Sequence, residues 1–245
     1  MGKDTCMSEL LYKRILLKLS GEALQGKDGI LNFDTVNAVC EVIKKAVLDG
    51  VEVSLVIGAG NIWRGISSGK MDRTKADNMG MLATVINSIA LQDTLISLGV
   101  DAKVLSAVKI EPFAEYYTKD LADAYLKAGK VVIFCCGTGH PFFSTDTGAV
   151  LRGAQLEVDA LLFAKNIDGV YTADPKKDPT AKKLDDITYE DVLEQHLVVI
   201  DTAATAFAME NKLKICLFGL SDPENILRVV HGEKIGTLMH NRETQ

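Results

Sequence analysis

The sequence predicts an α/β fold, a mostly parallel sheet covered by helices on both faces. Three observations carry that expectation. Strand-like apolar runs alternate along the chain with segments whose apolar residues recur at three- and four-residue spacing. Alternation of this kind marks βαβ units, which bury a parallel sheet between helices. Three helical segments also end in Asp49–Gly50, Leu98–Gly99 and Ala128–Gly129, and glycine is the residue that closes a helix in the left-handed conformation.

Taken in order, the first strand is expected at Lys13–Leu19 (KRILLKL), followed by a helix over Phe33–Leu48. Val51–Ile57 (VEVSLVI) is the second strand and Asn78–Leu98 a long helix. Ala102–Ala107 and Lys119–Ala128 are the third strand and its helix. Val131–Cys136 (VVIFCC), Asp146–Val158, Ala160–Lys165 (ALLFAK), Ala203–Glu210 and Lys214–Phe218 complete the alternation. GTLMH near the C-terminus reads as a short strand closing the sheet edge. Thr172–Asp186 is polar, holds two of the five prolines and reads as a long surface excursion, of a kind that is often functional. No repeat, low-complexity segment or linker divides the chain. Residues 11–245 are expected to form one domain behind a flexible N-terminal tail, residues 1–10.

At 245 residues, with 47% hydrophobic and 6% aromatic side chains, the composition is that of a soluble globular protein. A net charge of −6 offers no basic field for nucleic acid or anionic lipid, so an anionic ligand must be held by a local site. No apolar run approaches the roughly 20 residues of a membrane span, and MGKDTCMSEL has no apolar signal core. Five cysteines without CxxC spacing read as small buried hydrophobes in a reducing cytoplasm. Adjacent Cys135 and Cys136 are expected to point to opposite faces of their strand. The four histidines show no metal-ligand spacing and no Ser-His-Asp arrangement is visible.

In a parallel sheet, ligands collect outside the carboxyl ends of the strands. The loops expected there are KLSGEAL (Lys18–Leu24), GAGNIWRG (Gly58–Gly65), GTGHPFFSTD (Gly137–Asp146) and NIDGVYTADP (Asn166–Pro175). Three of them combine glycine with Lys, Arg or hydroxyl residues, a composition that lets backbone N–H groups approach an anion. Neither GxxxxGK[ST] nor GxGxxG occurs, which excludes a P-loop NTPase and a standard dinucleotide binder.

In this order the loops closely resemble those of the bacterial-type uridylate (UMP) kinases of the amino-acid kinase superfamily. The resemblance runs from YKRILLKLSGEALQG (Tyr12–Gly26) through NMGMLATVIN (Asn78–Asn87), GTGHPFFSTDT (Gly137–Thr147) and DGVYTADPKKDPTA (Asp168–Ala181) to GEKIGTL (Gly232–Leu238). It implies a three-layer αβα sandwich, a homohexamer, and transfer of the γ-phosphoryl group of ATP to UMP in pyrimidine nucleotide biosynthesis, with feedback by UTP. Mg²⁺ is expected to come with ATP rather than in a protein cage. The Gly-Phe-Gly that such kinases usually carry after LQG is missing from GKDGILNF (Gly26–Phe33), so stimulation by GTP is not expected.

Residue by residue, the resemblance puts Lys18, Leu19, Ser20 and Gly21 on the ATP phosphates, with Gly60 and Arg64 beyond them. Lys18 is the charge expected to act on the transferring phosphoryl group; as a lone residue it reads equally well as a lysine whose stem packs along the strand. Arg64 is expected to steady the nucleotide phosphates. Ala59 stands where the family usually has the middle of three glycines; it is tolerable at ordinary negative φ and is placed on UMP. Asp77 reads as the N-cap of the long helix and, by resemblance, accepts hydrogen bonds from the UMP ribose. Thr138, Gly139, His140, Pro141, Phe142, Phe143, Ser144 and Thr145 would surround the base and phosphate of UMP. One of the two phenylalanines is expected to pack inward while the other lines the uracil site. Asp146 would suffice as a helix cap, and in the family it serves catalysis by orienting Lys18 or the magnesium. Lys165, Asn166, Tyr171 and Asp174 are assigned to ATP, with Tyr171 against the adenine and Asp174 on the sugar. Asp201 reads as a helix cap and Trp63 as a packing residue.

Two rival readings stand beside this one: a superfamily kinase with a carboxylate or carbamate acceptor, and a non-catalytic nucleotide sensor acting through a partner. The paired phenylalanines and Asp77 favour a nucleotide acceptor; Lys18 and Asp146 together favour catalysis.

Overall fold

The computed structural model describes residues 10–242 apart from Asp28, residues 65–70, Lys176 and Val198. The expected tail (residues 1–9 of it) and Gly65 lie outside the described residues. Nine strands form one sheet in the order β4 (Glu115–Tyr116), β3 (Ala102–Ser106), β5 (Val131–Cys135), β2 (Glu52–Ile57), β1 (Arg14–Leu19), β6 (Ala160–Lys165), β10 (Ile215–Gly219), β11 (Thr237–His240) and β9 (Asp186–Thr188). Every pairing in it is parallel except β10 with β11. The helices are α1 (Phe33–Leu48), α2 (Arg73–Ser97), α3 (Lys119–Lys127), α4 (Thr145–Gln155), α5 (Tyr189–Glu194), α6 (Thr202–Glu210) and α7 (Asn225–Val230).

The strands are apolar on both sides because both sides are covered, and their period of two sorts the core into two layers. Ile15, Leu17 and Leu19 of β1, Val53, Leu55 and Ile57 of β2, and Leu162 and Ala164 of β6 pack with α1, α2 and α7. Leu16 of β1, Leu161 and Phe163 of β6, and Phe134 of β5 pack with α3, α4, α5 and α6. The fold is thus the expected three-layer αβα sandwich. Gly50, Gly99 and Gly129 end their helices at φ of +91°, +84° and +72°, as their placement in the sequence requires. Gly236, at φ +75°, explains part of GEKIGTL: a Cβ there would lie 2.0 Å from the Leu217 carbonyl oxygen.

Several expectations are corrected. The long helix α2 starts at Arg73 and is capped by Asp72, whose side chain accepts from the Lys75 N–H. Asp77 therefore lies inside the helix and is not its cap. The strand β5 stops at Cys135; Cys136 takes φ +61°, which breaks the alternation, and both thiols enter the same core layer. GTLMH does form a strand, yet β9 pairs outside it and is the edge. The polar excursion carries a small antiparallel ribbon of β7 (Val170–Tyr171) and β8 (Lys183–Leu184). Among the described residues, α2 alone is long and apolar enough to cross a membrane by length and composition. It packs against α1, β3 and β5, burying Ala83, Leu91 and Leu95.

Candidate active site

The carboxyl ends of β5, β2, β1 and β6 lie side by side, so the loops that follow them converge. Lys18 is the next-to-last residue of β1 and Lys165 the last of β6. Both belong to the alternation of Phe163, and their Nζ atoms lie 5.9 and 5.7 Å from its ring centroid. Asp146, in the first turn of α4, reaches between them. Its Oδ1 is 2.7 Å from Lys18 Nζ, and its Oδ2 accepts from Lys165 Nζ at 2.9 Å. The Lys18 contact is a charge pair off the angle of a hydrogen bond, which leaves Oδ1 buried without an aligned donor. Lys165 also donates to the Val199 carbonyl at 2.6 Å.

The electrostatics follow from burial and proximity. Burial alone would raise the Asp146 carboxyl, but the two ammonium groups outweigh it and hold the group below the usual carboxylate range. Burial pushes Lys165 below the usual lysine range; Asp146 opposes that shift and Lys18 adds to it. Two cations around one carboxylate leave an excess positive charge at the carboxyl ends of β1 and β6, an arrangement able to compensate an anionic group. A consequence can be measured. The pH profile of kcat/KM for ATP reports groups of the free enzyme. Its alkaline limb should fall below the ordinary lysine value of about 10.4, because Lys165 loses its proton early. A profile flat to that pH would disprove a charged Lys165 in the reaction.

The glycine loops that follow β1 and β2 are joined by close backbone approach. Gly58 N–H donates to the Leu19 carbonyl at 2.9 Å, and a Cβ on Gly21 would lie 2.4 Å from the Gly58 carbonyl oxygen. Buried Asn87 of α2 donates to that same carbonyl at 2.9 Å and exchanges amide hydrogen bonds of 2.9 and 3.0 Å with Asn61. Ala59 does not take a positive φ, so its methyl is accommodated. Arg64 is ion-paired with Glu22, whose side chain lies along Gly60.

Two cavities flank this centre, one reaching it at Lys165 and the other at Thr145, next to Asp146 in the chain. One, of about 690 Å³, is walled by Lys165, Asn166, Tyr171, Leu220 and Pro223. Tyr171 donates its hydroxyl to Asp168 at 2.9 Å, while Asp174 stays outside the cavity wall. The other, of about 610 Å³, is walled by Ala59, Gly60, Arg64, Asp77, Thr138, His140, the Phe142–Thr145 segment and Asp201; Gly139 and Pro141, expected on UMP, are not on its wall. Ser144, not Asp146, is the N-cap of α4, accepting from the Thr147 N–H at 3.1 Å. Phe142 and Phe143 are 67% and 55% exposed, so neither packs inward as expected; both are available to the cavity. His140 is exposed beside Thr138, and Trp63 donates its indole N–H to the Ala76 carbonyl at 2.8 Å, packing on α2.

Sequence reasoning missed three roles. Lys165 shares the carboxylate of Asp146 with Lys18, beyond any contact with ATP. Asp201 does cap α6, accepting from the Ala204 N–H at 2.8 Å, but it also accepts from the Ser144 and Thr147 hydroxyls, tying α6 to α4. Asn87, inside NMGMLATVIN, fixes the glycine loop after β2 through Gly58 and Asn61. For a metal the fit is poor: among the described residues no three His, Cys, Asp or Glu side chains are grouped to hold one. Asp146, the carboxylate at the centre, is already held between two ammonium groups.

Comparison with known proteins agrees with this geometry. Residues 13–219 match the amino acid kinase family. The structure of UMP kinase from Bacillus anthracis superposes with a TM-score of 0.91 at 37% identity, covering 96% of this chain and 98% of that one. UMP kinase from Ureaplasma parvum gives 0.89 at 38% identity, covering 94% and 99%. Uridylate kinase from Archaeoglobus fulgidus gives 0.72 at 28% identity, covering 92% and 99%. With a family match over most of its length and two bacterial relatives aligned almost end to end, the chain belongs to the amino acid kinase family and, within it, to the bacterial UMP kinases.

Proposed function

We propose that the protein transfers the γ-phosphoryl group of ATP to UMP, giving ADP and UDP. The observation that carries this reading is the pair of cavities flanking the Lys18–Asp146–Lys165 cluster, one walled by Lys165 and the other by Thr145, the chain neighbour of Asp146. ATP would occupy the cavity beside Asn166 and Tyr171, and UMP the one beside Asp77 and the paired phenylalanines. A UMP phosphate oxygen attacks the γ-phosphorus in line; the new P–O bond forms as the bond to the β-phosphate oxygen breaks, and the electron pair leaves on ADP. No enzyme intermediate is required. The acceptor phosphate is already ionised, so no strong base is required either, and the low pKa of Asp146 suits an orienting counter-charge. Lys18 and Lys165 spread charge off the phosphoryl oxygens while the glycine-loop amides hold them. Mg²⁺ enters as part of the Mg·ATP substrate and supplies further neutralisation on the phosphates.

The remaining features of this reading are a homohexamer, a cytoplasmic location, a place in pyrimidine nucleotide synthesis and feedback by UTP, whose uracil would suit the UMP cavity. Self-association is supported by Met79, Leu82, Ile86, Ile89 and Ile96, which form an exposed apolar stripe along α2; a second copy of the chain is the occupant proposed for it. The test of function is ADP release from Mg·ATP with UMP, CMP, aspartate and carbamate as acceptors. UMP should be the preferred acceptor. Turnover on aspartate or carbamate without turnover on UMP would select the rival kinase reading, and no turnover on any acceptor would favour a sensor.

A further inference from the structure

Arg73 has no part in the reading so far. It is the first residue of α2, where the helix macrodipole favours a carboxylate and disfavours a cation. Its partner Asp77 stands four residues later, the weaker of the two orders for a helical ion pair. The Arg73 side chain is 41% exposed, and pairs of this kind contribute little to stability. Helix stability does not account for the residue.

Its contacts point elsewhere. Arg73 Nε donates to Asp77 Oδ2 at 2.8 Å, and the Phe142 N–H donates to the same oxygen at 2.9 Å. The Arg73 guanidinium lies over the Phe142 ring, 5.5 Å from its centroid. Phe142 takes φ +72°, a conformation rare for an aromatic residue and one that persists where the surroundings hold it. Asp77 holds its backbone and Arg73 its ring. Both hydrogen bonds use Oδ2, so Oδ1 is the oxygen left to accept from a ligand in the cavity that all three residues line.

We propose that Arg73 is a positioning and specificity-determining residue: it orients the Asp77 carboxylate toward a ribose hydroxyl of the acceptor nucleotide and clamps Phe142 as a wall of the same pocket. The inference rests on the UMP reading above and deepens it. A clamp of this kind favours a ribonucleotide over its 2′-deoxy counterpart, because a carboxylate aimed at a hydroxyl is left unpaired when the hydroxyl is missing.

The test compares UMP with 2′-deoxy-UMP as acceptors for the parent, R73A, R73K and D77N, at saturating Mg·ATP. R73A should raise KM for UMP about tenfold, leave KM for ATP unchanged, and narrow the preference for UMP over its deoxy analogue. R73K, which keeps the charge but not the planar stack, should fall between R73A and the parent. The melting temperature of R73A should stay within about 2 °C of the parent. An R73A enzyme with unchanged KM for UMP, or with equal losses on both acceptors, overturns the inference while leaving the UMP reading in place, provided D77N narrows the preference. Unchanged preference in D77N removes the ribose role of Asp77, and the proposal falls with it. Failure of the parent to use either acceptor defeats the UMP reading itself.

Discussion

Lys18→Ala is expected to lower kcat by about three orders of magnitude, the upper range for removal of one preorganised charge donor from a transition state. The argument rests on where the ammonium sits. Lys18 is only 7% exposed and is fixed over Phe163 and against Asp146, so it is aimed before substrate arrives and need not reorganise during transfer. Its charge counts most when negative charge shifts toward the departing ADP oxygen, which makes the loss fall on kcat more than on KM for ATP. The fold should survive, because Asp146 keeps Lys165 as a partner at 2.9 Å. Steady-state kinetics with circular dichroism on the same sample decide the matter. Near-normal turnover by a folded Lys18→Ala enzyme would disprove the role.

How much of this was legible beforehand depended on whether a feature was local. The starts and ends of β1, β2, β3, β5 and β6 fall within one residue of their predicted positions, since each is a short, mostly apolar run with a polar or glycine residue within two or three positions of each end. The start of α2 was misplaced by five residues: Arg73–Asp77 carries little apolar periodicity, and the Asp72 cap was the only signal there. β4, β7 and β8, of two residues each, are too short to show any period. In the site, Lys18 could be found from its motif, and the alternation Leu161, Phe163, Lys165 hinted that Lys165 shares a face with Phe163. That Lys165 meets Lys18 across one carboxylate was not readable, because it depends on β1 and β6 being neighbours, with Lys18 opposite Phe163 in the register. The same holds for Asp201, whose capping role is local and whose grip on Ser144 and Thr147 is not. The inward packing expected of one phenylalanine failed because the left-handed turn at Phe142 presents that ring to the cavity side.

Asp146→Ala should act on stability and turnover together. Removing one member of a buried charge cluster leaves the others uncompensated, at a cost of about 3–5 kcal/mol. Here two ammonium groups would face each other across the vacated space, Lys18 and Lys165 having lost their contacts of 2.7 and 2.9 Å. The pH dependence identifies the cause. Asp146 has a depressed carboxyl pKa in the folded protein, so its stabilising contribution is complete above the unfolded value of about 3.9 and disappears as pH falls through the lower folded value. The gap in unfolding free energy between parent and Asp146→Ala should therefore be wide at neutral pH and close on acidification. At alkaline pH the variant should recover, because Lys165, already pushed down by burial, sheds its proton and relieves the repulsion. Asp146→Asn, which keeps the shape, should fail in turnover as well, since an amide supplies no counter-charge. Urea unfolding followed across pH, with turnover measured in parallel, separates the outcomes. A neutral-pH gap below about 1 kcal/mol, the scale of an exposed ion pair, would mean that the two lysines do not depend on this carboxylate.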